Sequence, residues 1–297
     1  MAQIHHFDHG WITPTVSYVL SVLGSMLGLT CAVRLRAARG RGERIWWLVL
    51  AAISIGGTAI WSMHFVAMMG FSVVGTQIRY DIGLTVASAI IAVVAVGIGV
   101  AIAAFGKGHL NVRILIGGII AGLGVAAMHY TGMAAMELNG DVSYSVTRVG
   151  LSIGIAVVAA TVALWLSVTV QKPLVIFFSA LVMGVAVNGM HFTGMSAMSV
   201  MEHDPTGTLK GASATGMLVP IGLGVVFALI GLVYALMAAP NDEDRAAIAY
   251  LAARREAAAA DGALEQRTGE FGTVRPPAER GGPTLGGNWT YRDRSSR

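Results

Sequence analysis

The chain has 297 residues, 55% of them apolar and 12% charged, against about 25% charged in an ordinary soluble domain. So little polar surface cannot coat a water-soluble globule, and the expected solvent is lipid. The net charge of +4 does not point to nucleic acid, because the basic residues fall between apolar runs. With a single cysteine, Cys31, an intramolecular disulfide is excluded.

Residues 1–13 form a leader without Lys or Arg, so the basic stretch of a cleavable signal is absent. It carries His5, His6, Asp8 and His9, which read either as a metal-collecting cluster or as a terminus without fixed structure. Seven runs long enough for a roughly 30 Å hydrocarbon core follow. They are about 14–35, 46–74, 82–105, 112–137, 149–170, 173–201 and 217–239. Beyond them, 243–260 is rich in Ala, Arg and Glu and extends the last helix, whereas Gly, Pro and Arg dominate from Asp261 and predict disorder. The expected organisation is a leader (1–13), a seven-helix membrane domain (14–239) and a cytoplasmic tail (240–297).

Orientation follows from Lys and Arg in the short connections. One side holds Arg34, Arg36, Arg39, Arg41, Arg44, Lys107, Arg113 and Lys172; the other holds Arg79, Arg148 and Lys210. The first group is therefore predicted to be cytoplasmic, with the N-terminus outside and the C-terminus inside.

Three related segments recur: Trp61-Ser-Met-His-Phe-Val-Ala-Met-Met, Ala127-Met-His-Tyr-Thr-Gly-Met-Ala-Ala-Met and Gly189-Met-His-Phe-Thr-Gly-Met-Ser-Ala-Met. Their histidines, His64, His129 and His191, are 65 and 62 residues apart, the mark of an internal repeat. The expected fold is all-α, with three two-helix units and a seventh helix outside the pattern. All three motifs fall on even-numbered helices, and the 18 residues from Trp46 to His64 climb roughly 27 Å. The histidines thus share one depth, in the outer part of the membrane. Helices two, four and six are the predicted inner bundle, with small-residue contacts at Gly56, Gly57, Gly124, Gly132, Gly189 and Gly194. Helices three and five are plain enough to face lipid.

On a helix, residues i, i+4 and i+7 share a face. His129, Met133 and Met136 form such a stripe, as do His191, Met195 and Met198, while the first copy keeps His64 and Met68 but has Phe71 at the third place. Imidazole with thioether is a ligand set that suits copper. Met63, Met128 and Met190 precede the histidines by one residue and either join the same site or line a neighbouring contact. A lone His or Met would more simply be packing; three matched copies favour the joint reading. Asn188 offers either a second-shell hydrogen bond to His191 or an interhelical one. Glu137 and Glu202 lie beyond the motifs and could attract an arriving cation. His109 and His203 fall in loops and need no role.

These segments resemble the motif of the MHYT domain family of bacterial membrane sensors. The middle copy spells Met128-His129-Tyr130-Thr131, and the others read Met63-His64-Phe65-Val66 and Met190-His191-Phe192-Thr193. The resemblance covers roughly residues 10–240. It implies an integral sensory domain of the bacterial plasma membrane that binds copper through Met and His and senses oxygen, carbon monoxide or nitric oxide. Mapped here, the set is Met63, His64, Met68, Met128, His129, Met133, Met190, His191 and Met195. Relatives fused to cyclic-dinucleotide enzymes imply a signalling output; no such domain follows here, so a separate cytoplasmic partner would relay it through the tail. A copper carrier or permease and a haem protein with paired histidines are the rival readings. No nucleophile, phosphate loop or acid/base pair stands out, so no enzyme activity is predicted.

Overall fold

The computed structural model describes residues 4–5, 8, 10–202, 209–238, 247 and 250–259. Two compact units divide the chain, Met1–Ala238 and Ala239–Arg297. In the second, 250–259 is helical; the disorder predicted from Asp261 lies outside the described residues.

The first unit contains seven helices long and apolar enough to cross a membrane: α1 (Ile12–Ala37), α2 (Arg41–Met68), α3 (Ile82–Phe105), α4 (Leu110–Ala134), α5 (Val146–Thr169), α6 (Pro173–Met195) and α7 (Ala214–Ala238). This is a multi-pass membrane protein. Its helices expose apolar side chains in rows, as with Val86, Ile90, Val94 and Ile98 along α3, and bury small ones such as Ser88, Ala92 and Gly99 on the opposite face. Lipid accounts for the first pattern and close helix approach for the second.

Helices α1 to α6 close into a ring in chain order, α6 returning to α1, while α7 lies against α2. Two details depart from expectation. Helix α1 is as much a core element as the motif helices, because Ser17, Ser21, Gly24, Ser25 and Gly28 give it a buried small-residue stripe. At Gly24 a Cβ would sit 2.8 Å from the Cα of Ala59, so only glycine permits this crossing of α1 and α2. Helix α3 is as buried as α4 and α6, and only α5 and α7 are mainly peripheral. Within α2, Ile53–Ser62 wind as a π-helix, a rare form common at functional sites. The wider turn ends immediately before Met63 and His64.

Three predicted helices overran. Those read as 46–74, 112–137 and 173–201 stop at Met68, Ala134 and Met195, and short strands follow. These are β2 (Ser72–Val73), β3 (Arg79–Tyr80), β4 (Met136–Glu137), β5 (Gly140–Tyr144), β6 (Met198–Glu202) and β7 (Ala212–Ser213), with β1 (Ile4–His5) ahead of α1. The pairs are β1 with β2, β3 with β4 and β7, and β5 with β6, all antiparallel. An all-α description therefore fails at one face, where every strand lies. The reason is a change of period. After Met195, Met198 and Val200 are buried while Met201 is exposed, the alternation of a strand. Strand β1 also gives the leader a fixed partner, Ile4 opposite Val73 and His5 opposite Ser72; His6 and His9 lie outside the described residues.

The opposite face carries the short connections 38–40, 106–109 and 170–172 among the described residues. There the Arg36 guanidinium donates to the carbonyls of Val168 and Val170, Arg113 to those of Ile102 and Ala103, and Arg44 to that of Ala38. Basic side chains so placed satisfy the last carbonyls of a helix.

Candidate metal centre

Helices α2, α4 and α6 bring His64, His129 and His191 together, each about 1% exposed. His64 Nδ1 lies 3.0 Å from His191 Nδ1 and 3.1 Å from His129 Nδ1. The rings meet edge to face, with centroids 4.8 to 5.2 Å apart, and one ring nitrogen from each lies within 4.8 Å of the others. Among the described residues, no carboxylate or thiol joins this group. The Nε2 atoms of His64 and His129 are buried without a hydrogen-bond partner.

Protons alone satisfy this arrangement poorly. A neutral imidazole has one N–H and one lone pair, so His64 Nδ1 cannot make a full hydrogen bond to both neighbours. Its Nε2 stays unpaired in either tautomer. A buried polar atom left so costs about 1–3 kcal/mol. Three lone pairs converging from neutral rings instead form a donor set that a soft cation can use. Charging cost grows with the square of the charge, so a divalent ion there costs about four times a monovalent one. The residues fit Cu(I) in particular. Rings this close leave no slot for a porphyrin between any two of them.

Glycine sets the spacing. A Cβ on Gly132 would run into the His64 ring, and one on Gly194 would run into the His129 ring. Each glycine stands three residues after a motif histidine, so the α2–α4 and α4–α6 contacts repeat one design. Ala67 holds the matching place on α2. Gly189, counted with these from the sequence, has open space around it and serves no contact.

The methionines fall into two groups. Met68, Met133 and Met195 are buried, one turn beyond the histidines toward the strand-bearing face, in a cluster with Phe65, Tyr80 and Val200. Met136 and Met198 belong to the same cluster, but from β4 and β6; the i+7 helical stripe expected for them ends with the helices. Met63, Met128 and Met190 are buried outside that cluster. Glu137 stands in β4 opposite Arg79, and Glu202 ends β6.

Side-chain hydrogen bonds between helices support the triad. The Asn188 amide accepts from the Ser17 hydroxyl at 3.0 Å and donates to Ser21 at 3.1 Å, tying α6 to α1; of its two readings, the interhelical bond is the one formed. Tyr130 bonds Ser152 across α4 and α5 at 2.6 Å, and the Trp61 indole donates to Ser88 across α2 and α3 at 3.0 Å. The serines that take these bonds, Ser17 and Ser21 on α1, Ser88 on α3 and Ser152 on α5, are buried polar residues on odd-numbered helices. In the cap, burial lifts the Tyr80 phenol above its ordinary pKa, and burial followed by the neighbouring Tyr130 does the same for Tyr144.

Seven spans and a histidine triad assembled from one repeated motif define the class: a membrane protein with a buried, repeat-built donor site. Residues 57–118 and 122–180 match the MHYT family model, described as a bacterial signalling protein N terminal repeat. Each match opens seven residues before its histidine, at Gly57 and Gly122. The chain carries the MHYT repeat and belongs with the MHYT-domain bacterial signalling proteins. It is 38% identical over 206 residues to the bifunctional diguanylate cyclase/cyclic di-GMP phosphodiesterase MucR of Pseudomonas aeruginosa, covering 68% of this chain and 29% of that protein. An uncharacterized signaling protein of Caulobacter vibrioides is 33% identical over 66% of this chain and 24% of its own length. The cyclic di-GMP phosphodiesterase NbdA of P. aeruginosa is 34% identical over 54% and 21%. The matched region is thus less than a third of each relative. No solved structure matches the chain.

Proposed function

We propose that this chain is a sensory protein of the bacterial plasma membrane that reads its stimulus at a copper ion held by His64, His129 and His191. The observation that carries this reading is the convergence of three buried Nδ1 atoms, with His64 Nδ1 3.0 and 3.1 Å from its neighbours, beside two Nε2 atoms that have no partner. Met68, Met133 and Met195 supply soft donors one turn away, with Met136 and Met198 behind them and Met63, Met128 and Met190 on the other side of each histidine. When bound, copper supplies a centre that changes oxidation state and takes a diatomic ligand such as oxygen, carbon monoxide or nitric oxide. The chain's own part is to hold the three rings edge to face, exclude water and carry their displacement. His64 touches both other histidines, so a change of ligation moves α2 against α4 and α6 together.

The strand-bearing face is the outer one in this reading, because eight Lys and Arg residues lie at the other face and three lie here. Output passes to the opposite face, where α2, α4 and α6 begin. The activities of MucR and NbdA favour cyclic di-GMP turnover as the process controlled, with the membrane domain acting as its sensor.

Elemental mass spectrometry of the purified protein, beside His64→Ala/His129→Ala/His191→Ala, tests the site. One copper per chain in the parent, lost in a variant that keeps its helical circular dichroism, is expected. A copper-replete parent that carries none, or a variant that keeps its copper, overturns the reading. An intense Soret band would overturn both the copper reading and this arrangement of the three rings.

A further inference from the structure

We propose that the molecule contains a second site, a dry chamber for one small apolar molecule, filled sideways from the lipid. The chamber is a partly enclosed pocket of about 50 Å³ among α1, α2, α4, α5 and α6. Ile60, Val125 and Val187 line it, and each stands four residues before a motif histidine. It therefore occupies the layer one turn from the triad, on the side away from the thioethers. Met190, adjacent to His191, also faces it.

Its lining selects the occupant. Ser25 supplies the polar side chain, with a fully buried hydroxyl that has no hydrogen-bond partner; the other lining residues are apolar. A buried water needs two to four polar partners, and apolar cavities without them stay dry and take up xenon or similar guests. The 50 Å³ available is ample for one small guest, since about 10–15 Å³ on the same measure already admits a water. A diatomic gas or a noble-gas atom fits, and the Ser25 hydroxyl can donate one hydrogen bond to a diatomic guest.

The route is lateral. A groove of about 550 Å³ runs along the outside between α5 and α6, over Gly150 and Gly154, where a Cβ would meet nothing. Leu151, Val158 and Val182 stand exposed along it, as lipid-facing residues do. Ala159, Met183 and Ala186 line both groove and chamber, so they form the neck between them. Its two alanines, Ala159 on α5 and Ala186 on α6, are small enough to leave a passage. Met183, with an unbranched side chain of several rotors, is the movable part. Guests that dissolve in the acyl region reach the triad's inner side without crossing the strand-covered face.

As a path to the triad this rests on the sensory reading, but the chamber does not need the metal. The test therefore uses metal-free, full-length protein in lipid nanodiscs and hyperpolarised xenon NMR, which reads bound xenon and its exchange. The parent should show one saturable bound signal, and Ala160→Leu, which fills the chamber alone, should remove it. Ala186→Leu should slow exchange by about tenfold and Met183→Ala should speed it. A parent without a bound signal overturns the site. Exchange unchanged in the neck variants overturns the route, and the parent with Met183→Ala decides this even if the larger side chains prevent folding. Bound xenon in a protein that never takes copper would leave the chamber standing and sink the metal reading.

Discussion

Two backbone positions without side chains govern the triad. Gly132 and Gly194 give the His64 and His129 rings their places, and neither ring can retreat, because both are sealed from solvent. Adding a methyl group forces the ring or the helix to move, and overpacking of this kind costs about 1–3 kcal/mol. Gly132→Ala should therefore lower the melting temperature and weaken copper binding by about tenfold or more, since each 1.4 kcal/mol is a factor of ten. Gly194→Ala should do the same through His129. Gly189→Ala, on the same helix but facing open space, should be neutral or slightly stabilising, because alanine favours helix. Thermal melts and competitive Cu(I) titrations of the three variants decide the matter. Equal behaviour of Gly189→Ala and Gly194→Ala would show that the contact is not what positions the ring.

Elements show where reading from sequence reaches and where it stops. The spans were legible because apolar length is a one-dimensional property, and Ile82–Phe105 coincides with the predicted 82–105. The grouping of the histidines was legible because the repeat put equal residues at equal depth. Helix ends were not. Met136 and Met198 continue an apolar run, and only tertiary pairing, β4 with β3 and β6 with β5, turns that run into strands. The π-helical turn of α2 leaves no compositional mark, and the serine stripe of α1 acquires meaning only when Asn188 faces it. The strand cap so formed has its own pH response. Tyr80 is buried, and its pKa is held above the ordinary value of about 10. Once the pH passes that ordinary value, the unfolded chain loses the tyrosine proton while the folded cap resists. Stability is fully present below it and declines as pH climbs toward the folded value. Tyr80→Phe should flatten this alkaline decline in melting temperature between pH 9 and 11, about the range in which a free tyrosine titrates. A decline as steep as the parent's would assign it to other groups.

At the scale of the whole molecule the open question is which face looks outward, because the triad, the strand cap and the chamber are all placed by that answer. The charge count favours the strand face as external, yet several of its strongest voters have structural work. Arg36, Arg44 and Arg113 donate to carbonyls at helix ends, which they would do on either side of a membrane. Leaving Arg34 aside, Arg39, Arg41, Lys107 and Lys172 remain to set the bias, against Lys210, because Arg79 and Arg148 likewise donate to the Gly211 and Ser196 carbonyls. The excess survives this correction, and positive residues in short loops stay in the cytoplasm. Cys31 makes the test clean, since its thiol is wholly buried. In a Cys31→Ser background, Gln77→Cys samples the strand face and Gly42→Cys the other; both positions are exposed, and Gly42 has room for a side chain. A membrane-impermeant maleimide applied to intact cells with an opened outer membrane should label Gln77→Cys and leave Gly42→Cys until the cells are lysed. The reverse pattern would turn the triad toward the cytoplasm, where a buried Cu(I) site would draw on the metal pool inside the cell and the strand cap would become the surface that meets the signalling partner.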